Sequence, residues 1–199
     1  MRLLSFRLGA RLAPLVLASL TAWTGPAQAS TLMQLSVEDL CRRATLVVAA
    51  TPVESAAVWE DRGGGRGRRI VTYTRVRVDR VIDGAAPTEL WIRTLGGTIG
   101  DIGQRVDGEA VLAPGQSGVF FLRAFADGPH GVVGMAQGQY LLDRRAAAET
   151  PRLLRMPMLP RLVAAPASTA GLQLDGKTLD EASQLIRSAR QSQGNVHAP

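Results

Sequence analysis

From Thr45 the chain reads Thr-Leu-Val-Val-Ala-Ala50, a short unbroken apolar run of the kind found in strands covered on both faces. Pro52, just after it, cannot donate to a ladder and points to an edge or a bulge. Ile70–Ile82 is the strongest strand signal: it is rich in β-branched residues, and Arg75, Arg77 and Asp79 alternate with Val76, Val78 and the residues beyond. Asp83-Gly84 ends it as a turn. Thr88–Leu95 predicts a third strand, with Leu90, Ile92 and Thr94 on one face and Trp91, Arg93 and Leu95 on the other. Ser117–Phe125 is a fourth, closed by Asp127-Gly-Pro129. Gly131–Leu142 supplies one or two more, with glycines where the backbone bends.

Two helices frame this run. Val37, Leu40, Cys41 and Ala44 recur at helical spacing behind a Ser36 cap, with Glu38 and Asp39 in the first turn and Arg42 and Arg43 in the last. Cys41 on that stripe reads as a buried small hydrophobe, the alternative being an unpaired thiol that joins another chain. Thr178-Leu-Asp-Glu181 is a capping box opening a helix to about Ser192, striped by Leu179, Ala182, Leu185, Ile186 and Ala189. Between them, Pro151, Pro157, Pro160 and Pro166 forbid a long helix and predict an extended arm over residues 146–170. The fold class is therefore mainly β, a small barrel or sandwich with a helix at each end. Closure of the barrel would leave no unpaired edge.

Residues 1–29 carry Arg2, Arg7 and Arg11, a twelve-residue apolar run Leu12–Trp23, a Gly25-Pro26 breaker and Ala27-Gln-Ala29. Those are the three parts of a secretory signal peptide, and a membrane span needs about 20 apolar residues. The expected organisation is a leader over 1–29, a barrel domain over 30–145, the arm over 146–170, and a helix with tail over 171–199. The product is exported, to the periplasm or the medium, with no integral membrane segment after cleavage. Removing the leader reduces the formal net charge from +6 to +3, because it takes three Arg and no acid. One cysteine and two histidines exclude a disulfide framework, an iron–sulfur cluster and a His-based metal centre, so no metal and no cofactor are expected.

Four motifs have the residue types that chemistry could use. Gly171-Leu-Gln-Leu-Asp-Gly-Lys-Thr178 satisfies the phosphate-loop pattern, but no strand precedes it and only 21 residues follow, so it reads as a turn and a helix cap. Ser117 with His130 would make a hydrolase, yet Gly115-Gln-Ser-Gly-Val119 lacks the last glycine of the nucleophile elbow and leads into a strand. Arg62-Gly-Gly-Gly-Arg66-Gly-Arg68-Arg69 resembles a nucleic-acid-binding segment. With few aromatics to stack bases it reads better as a soluble hairpin loop, and no nucleic-acid partner is expected. The 21-residue stretch Gly96–Gln116, with Asp101, Arg105, Asp107 and Glu109, is long enough to be functional; Asp107-Gly108 could turn a hairpin there. Its acids fit no known Ca²⁺ loop, and a glycine-bent crossover is the simpler reading.

Tyr73-Thr74, Val76, Val78, Val81, Gly84, Leu95-Gly96-Gly97, Gly103, Val106, Gly108, Gly115, Phe121-Leu122 and Gly138 follow in an order that resembles a family of small exported bacterial proteins. That family is similar to oligonucleotide/oligosaccharide-binding (OB) barrels as adapted in netrin-like and tissue-inhibitor domains, over about residues 44–145. The resemblance implies an OB-like closed or partly open antiparallel barrel and carries over no catalytic residue. The N-terminal cysteine of the metalloprotease inhibitors is absent. The expected function is a non-catalytic module that binds a protein or a cell-envelope component. Candidate surfaces are Gly96, Gly97, Asp101, Arg105 and Asp107 in the glycine-rich stretch, and Arg66 and Arg68 in the arginine loop. The rivals are an inhibitor or companion of a secreted metalloprotease and, behind it, the Ser117 hydrolase.

Overall fold

The computed structural model describes residues 34–143, 150–156 and 169–195, so the expected leader and most of the arm lie outside the described residues. Its elements in order are α1 (Val37–Arg43), β1 (Leu46–Asp61), β2 (Arg68–Asp83), β3 (Glu89–Leu95), β4 (Gly97–Ile99), β5 (Ile102–Gln104), β6 (Gly118–Ala124), β7 (His130–Val132), a 3-10 turn (Met135–Gly138), β8 (Gln139–Asp143), β9 (Arg152–Arg155), α2 (Ala170–Leu174) and α3 (Leu179–Asn195).

Five strands close a ring in the order β1-β2-β3-β7-β6, with β6 returning to the first five residues of β1. All these pairings are antiparallel except β3 with β7, which run parallel where Ile92 meets His130. Five strands in this order, with one parallel contact, close a ring, so of the barrel and sandwich that the residue pattern allowed the structure is the barrel, in keeping with the OB-like form the resemblance implied. β8 continues along the edge of β6 that β7 leaves, and β9 adds outside it.

The apolar run of β1 is explained by two cores. Leu46, Val48 and Ala50 point into the barrel with Val76, Leu90, Ile92, Phe120 and Leu122. Val47 and Ala49 point the other way, with Val119 and Phe121, against Leu40, Cys41, Ala182 and Ile186 of the helices. Alternation with period two sends neighbouring residues to opposite faces, so a strand buried on both sides must be apolar throughout. Phe121 meets Tyr140 edge-on at 6.4 Å, closing the helix-side core.

Caps and one guanidinium fix the helices. Asp39 N–H donates to Ser36 Oγ at 3.1 Å while Ser36 N–H donates back to Asp39, a reciprocal capping box. Glu181 and Thr178 repeat the device at the start of α3. Arg190 of α3 donates to Asp83 and to the Ala44 carbonyl, each at 2.7 Å, tying the helix to β2 and to the end of α1. Cys41 is fully buried, and burial pushes its thiol up to about 11, in keeping with a packing residue.

Three features differ from the sequence pattern. β1 continues to Asp61, eleven residues past its apolar run, because it leaves the barrel and pairs only with β2, where burial no longer dictates residue type. The hairpin in the glycine-rich stretch is β4–β5 rather than one turned at Asp107-Gly108, and Glu109 N–H donates to Val106 O in a local turn there. The expected arm is extended over Arg152–Arg155, but as β9 of the main sheet, with Leu153 fully buried. Its outer side is covered in turn: Leu153 N–H donates to Lys177 O, and Gly176 N–H to Leu153 O.

The helix-side core predicts a clear contrast on α2 and α3. Ile186→Ala, at a fully buried position, should lower unfolding free energy by about 2–5 kcal/mol in urea titrations. Leu172→Ala, at a position 71% exposed, should change it by less than about 0.5 kcal/mol.

Candidate functional site

The glycine-rich stretch sets its β4–β5 hairpin against β2, and backbone geometry sets its residues. Gly96 and Gly97 have φ of 90° and 134°, and a Cβ on them would lie 2.6 Å from Gln104 O and 2.4 Å from Thr72 Oγ1. Glycine is therefore required for the chain to turn from β3 into β4 under β2. Thr72 Oγ1 donates to Gly96 O and Ile70 N–H donates to Gln104 Oε1, both at 2.8 Å, holding the hairpin to β2.

Gly97, Arg105 and Glu109 line a cavity of about 690 Å³ behind this hairpin. Asp107 forms an exposed pair with Arg105 at 3.3 Å, and Asp101 sits exposed in the β4–β5 turn. Asp101, Asp107 and Glu109 do not converge, and no cluster of three metal-ligating side chains occurs among the described residues. The Glu109 carboxylate accepts from Ala110 N–H at 2.9 Å and Leu95 N–H at 3.3 Å. Burial raises its pKa above the usual carboxylate range, against those two hydrogen bonds and the Arg93 charge.

The arginine loop does not join that cavity. Arg66 turns back onto its own hairpin, donating to Gly63 O and Arg62 O at 3.3 and 3.1 Å. Arg68 stacks over Trp59 with its guanidinium 5.1 Å from the ring centroid. Two of the chemical motifs are also resolved by geometry. Ser117 precedes β6, whereas His130 pairs with Ala124 at its far end, about 20 Å of strand away. Ser117 Oγ lies 2.8 Å from Thr51 Oγ1, which donates to Asp79. Ser117 and His130 thus cannot act as a nucleophile–base pair. In the phosphate-loop match, residues 170–174 are helix α2. The N–H groups of Gln173, Asp175, Gly176 and Lys177 all donate within the protein, so no anion cradle forms.

A second cavity of about 690 Å³ lies on the outer face of β1, β2 and β3, walled by Pro129 of the β6–β7 turn and by His130 at the start of β7. Val58, Tyr73 and Trp91 make its floor, Val58 and Trp91 being 42% and 43% exposed. Pro87 and Asp127 close its rim. Burial holds the His130 imidazole below its usual pKa, opposed by a hydrogen bond to the Trp91 backbone, and His130 Nδ1 has no partner among the described residues.

Ion pairs surround this groove and consume its guanidinium groups. Arg75 is held between Glu54 and Glu89, each at 2.8 Å. Arg93 pairs with Glu60 and lies 5.3 Å from the Phe125 ring centroid, and Arg69 shares the same carboxylate at 2.6 Å. Partial burial opposes ionisation of Glu60, but the Arg93 and Arg69 hydrogen bonds hold its pKa below the usual range. Sequence reasoning did not single out the groove. Its signal was a tryptophan and a tyrosine on strand faces otherwise occupied by Arg75 and Arg93, which alternation places outside the barrel.

Glu109 gives a pH test of the first cavity. Its folded pKa lies above the ordinary 4.5, so between 4.5 and that raised value the folded state binds more protons than the unfolded chain. Its contribution to stability accordingly falls as pH rises through that window. Glu109→Gln should remove this fall, so the stability difference between variant and wild type should move in favour of the variant from pH 4 to pH 8 in urea titrations. Among known proteins, neither any family model nor any curated sequence matches this chain.

Proposed function

We propose that the protein is an exported, non-catalytic binding module that holds a segment of a partner protein in the Val58–Tyr73–Trp91 groove. The observation that carries this reading is a half-exposed tryptophan beside a tyrosine and two prolines on the outside of a barrel whose interior is already filled. Aromatic anchors in a preformed apolar depression are the usual centre of binding energy at protein interfaces. An apolar side chain entering the groove would cover Trp91 and Val58, which water otherwise contacts.

The charge around the groove favours polypeptide over nucleic acid. Glu89 and Asp127 stand at the rim, while Arg75 is neutralised by Glu54 and Glu89. A phosphate backbone needs free cations along its path. An acidic rim instead suits a segment that carries a lysine or arginine near its apolar anchor. The glycine-rich stretch is a weaker candidate, because its glycines answer to backbone geometry and the Glu109 carboxylate is occupied by two N–H groups.

The test is in vivo photo-crosslinking in the native host from position 87, an exposed proline on the groove rim. A protein adduct that falls at least about tenfold with Trp91→Ala, and persists with Asp101→Ala plus Arg105→Ala, supports the groove. An adduct that is saccharide, or one lost only with the second pair, replaces this reading.

A further inference from the structure

The ring closes only over the first five residues of β1. Its register with β6 ends at Ala50–Gly118, and Gly115 N–H donating to Pro52 O is the last contact on that side. Pro52 and a bulge between Pro52 and Glu54 then break the line of the strand. From Glu54 to Asp61, β1 pairs with β2 alone among the described residues. Its other edge is a row of peptide N–H and C=O groups with no strand beside it among the described residues. Such an edge is a template for another strand, and natural proteins protect it with lysine, proline or a covering loop. Residues 54–61 contain neither lysine nor proline.

We propose that this edge is the interface of a homodimer, in which the open halves of two β1 strands pair antiparallel about a two-fold axis at Val58. The edge groups come from alternate residues, so symmetric pairing must be centred on a residue rather than between two. A centre at Ala57 would set Glu54 against Glu60 of the second copy, like charges face to face. A centre at Ala56 would bring Pro52 into the ladder. The centre at Val58 avoids both and places Glu54 opposite Arg62 of the second copy, twice by symmetry.

That opposite-charge match uses a guanidinium unpaired among the described residues and the second oxygen of a carboxylate already held by Arg75. Arg75 engages Oε1 of Glu54, leaving Oε2, and the Arg62 side chain has no acidic partner among the described residues. The same register sets Ser55 opposite Asp61 and Ala57 opposite Trp59, covering an indole that is 37% exposed. Val58 meets its own copy on the outer face. Cross-strand pairs of opposite charge and of aromatic with small side chains are those that stabilise an antiparallel ladder. The result is one continuous sheet, β3-β2-β1 and its mirror-ordered copy, with a groove on each half. The interface shares Val58 with the groove, and Tyr73, Trp91, Pro129 and His130 remain to line the groove on each half.

Sedimentation equilibrium of the purified protein should give twice the 21.2 kDa mass of the full chain, less any leader removed. Arg62→Glu should weaken the dimer at least about tenfold. Val58→Cys should form an intermolecular disulfide under mild oxidation, because residue 58 faces itself across the axis, whereas Ser55→Cys should not. Cys41 is fully buried and serves as the internal control. A monomer at about 100 µM overturns the proposal. So does a dimer that ignores Arg62→Glu and leaves the Val58→Cys thiol reduced.

Discussion

Burial of Leu46–Ala50 on both faces is the constraint from which the rest follows. One side of this segment closes the barrel against β6 and the other receives α1 and α3, so five consecutive residues join two cores that would otherwise be independent. β6 mirrors it with Val119 and Phe121 outward and Phe120 and Leu122 inward. Peptide groups in such a place can be satisfied only by strands on both sides, which is why β1 pairs with β2 and β6 exactly where it is most deeply buried.

The second half of β1 is free of that constraint. Beyond the bulge at Pro52 it rises out of the barrel on the β1–β2 hairpin, and its side chains answer to solvent and to cross-strand neighbours. Ion pairs replace packing there: Glu54 with Arg75, Glu60 with Arg69 and Arg93. Exposed pairs of this kind add little stability. Their effect is to fix a pattern of charge around Trp91 and to occupy Arg69, Arg75 and Arg93. The buried half thus determines the fold, and the exposed half provides the surfaces available for recognition.

The barrel, both helices and their caps were legible because each follows from a local period. Val37, Leu40 and Cys41 predicted a helix face, and Val76 with Leu90 and Ile92 predicted inward strand faces; the cores contain these residues. The strand from Thr51 to Asp61 was not legible, since it lies at the edge of the sheet beside β2 and most of its own side chains are exposed, so burial imposes no alternation on it. β9 was masked by flanking prolines, although Leu153 is buried by contacts more than twenty residues away. For the candidate site, composition drew attention to glycines and arginines. The glycines proved to be placed by backbone approach, and Arg66 and Arg68 by contacts within their own hairpin.

By itself the sequence determined which segments become strands and helices and which of their faces are apolar, because those depend on neighbours within a few residues. Only the tertiary structure decided that Val58, Tyr73 and Trp91, from three strands, share one groove, and that Ser117 and His130 stand apart. It also decided that the ring closes over the first five residues of β1 and that Glu54–Asp61 keeps an open edge among the described residues. Strand order and register are set by the simultaneous packing of two cores, a balance summed over the whole chain. No local run of residues carries that sum.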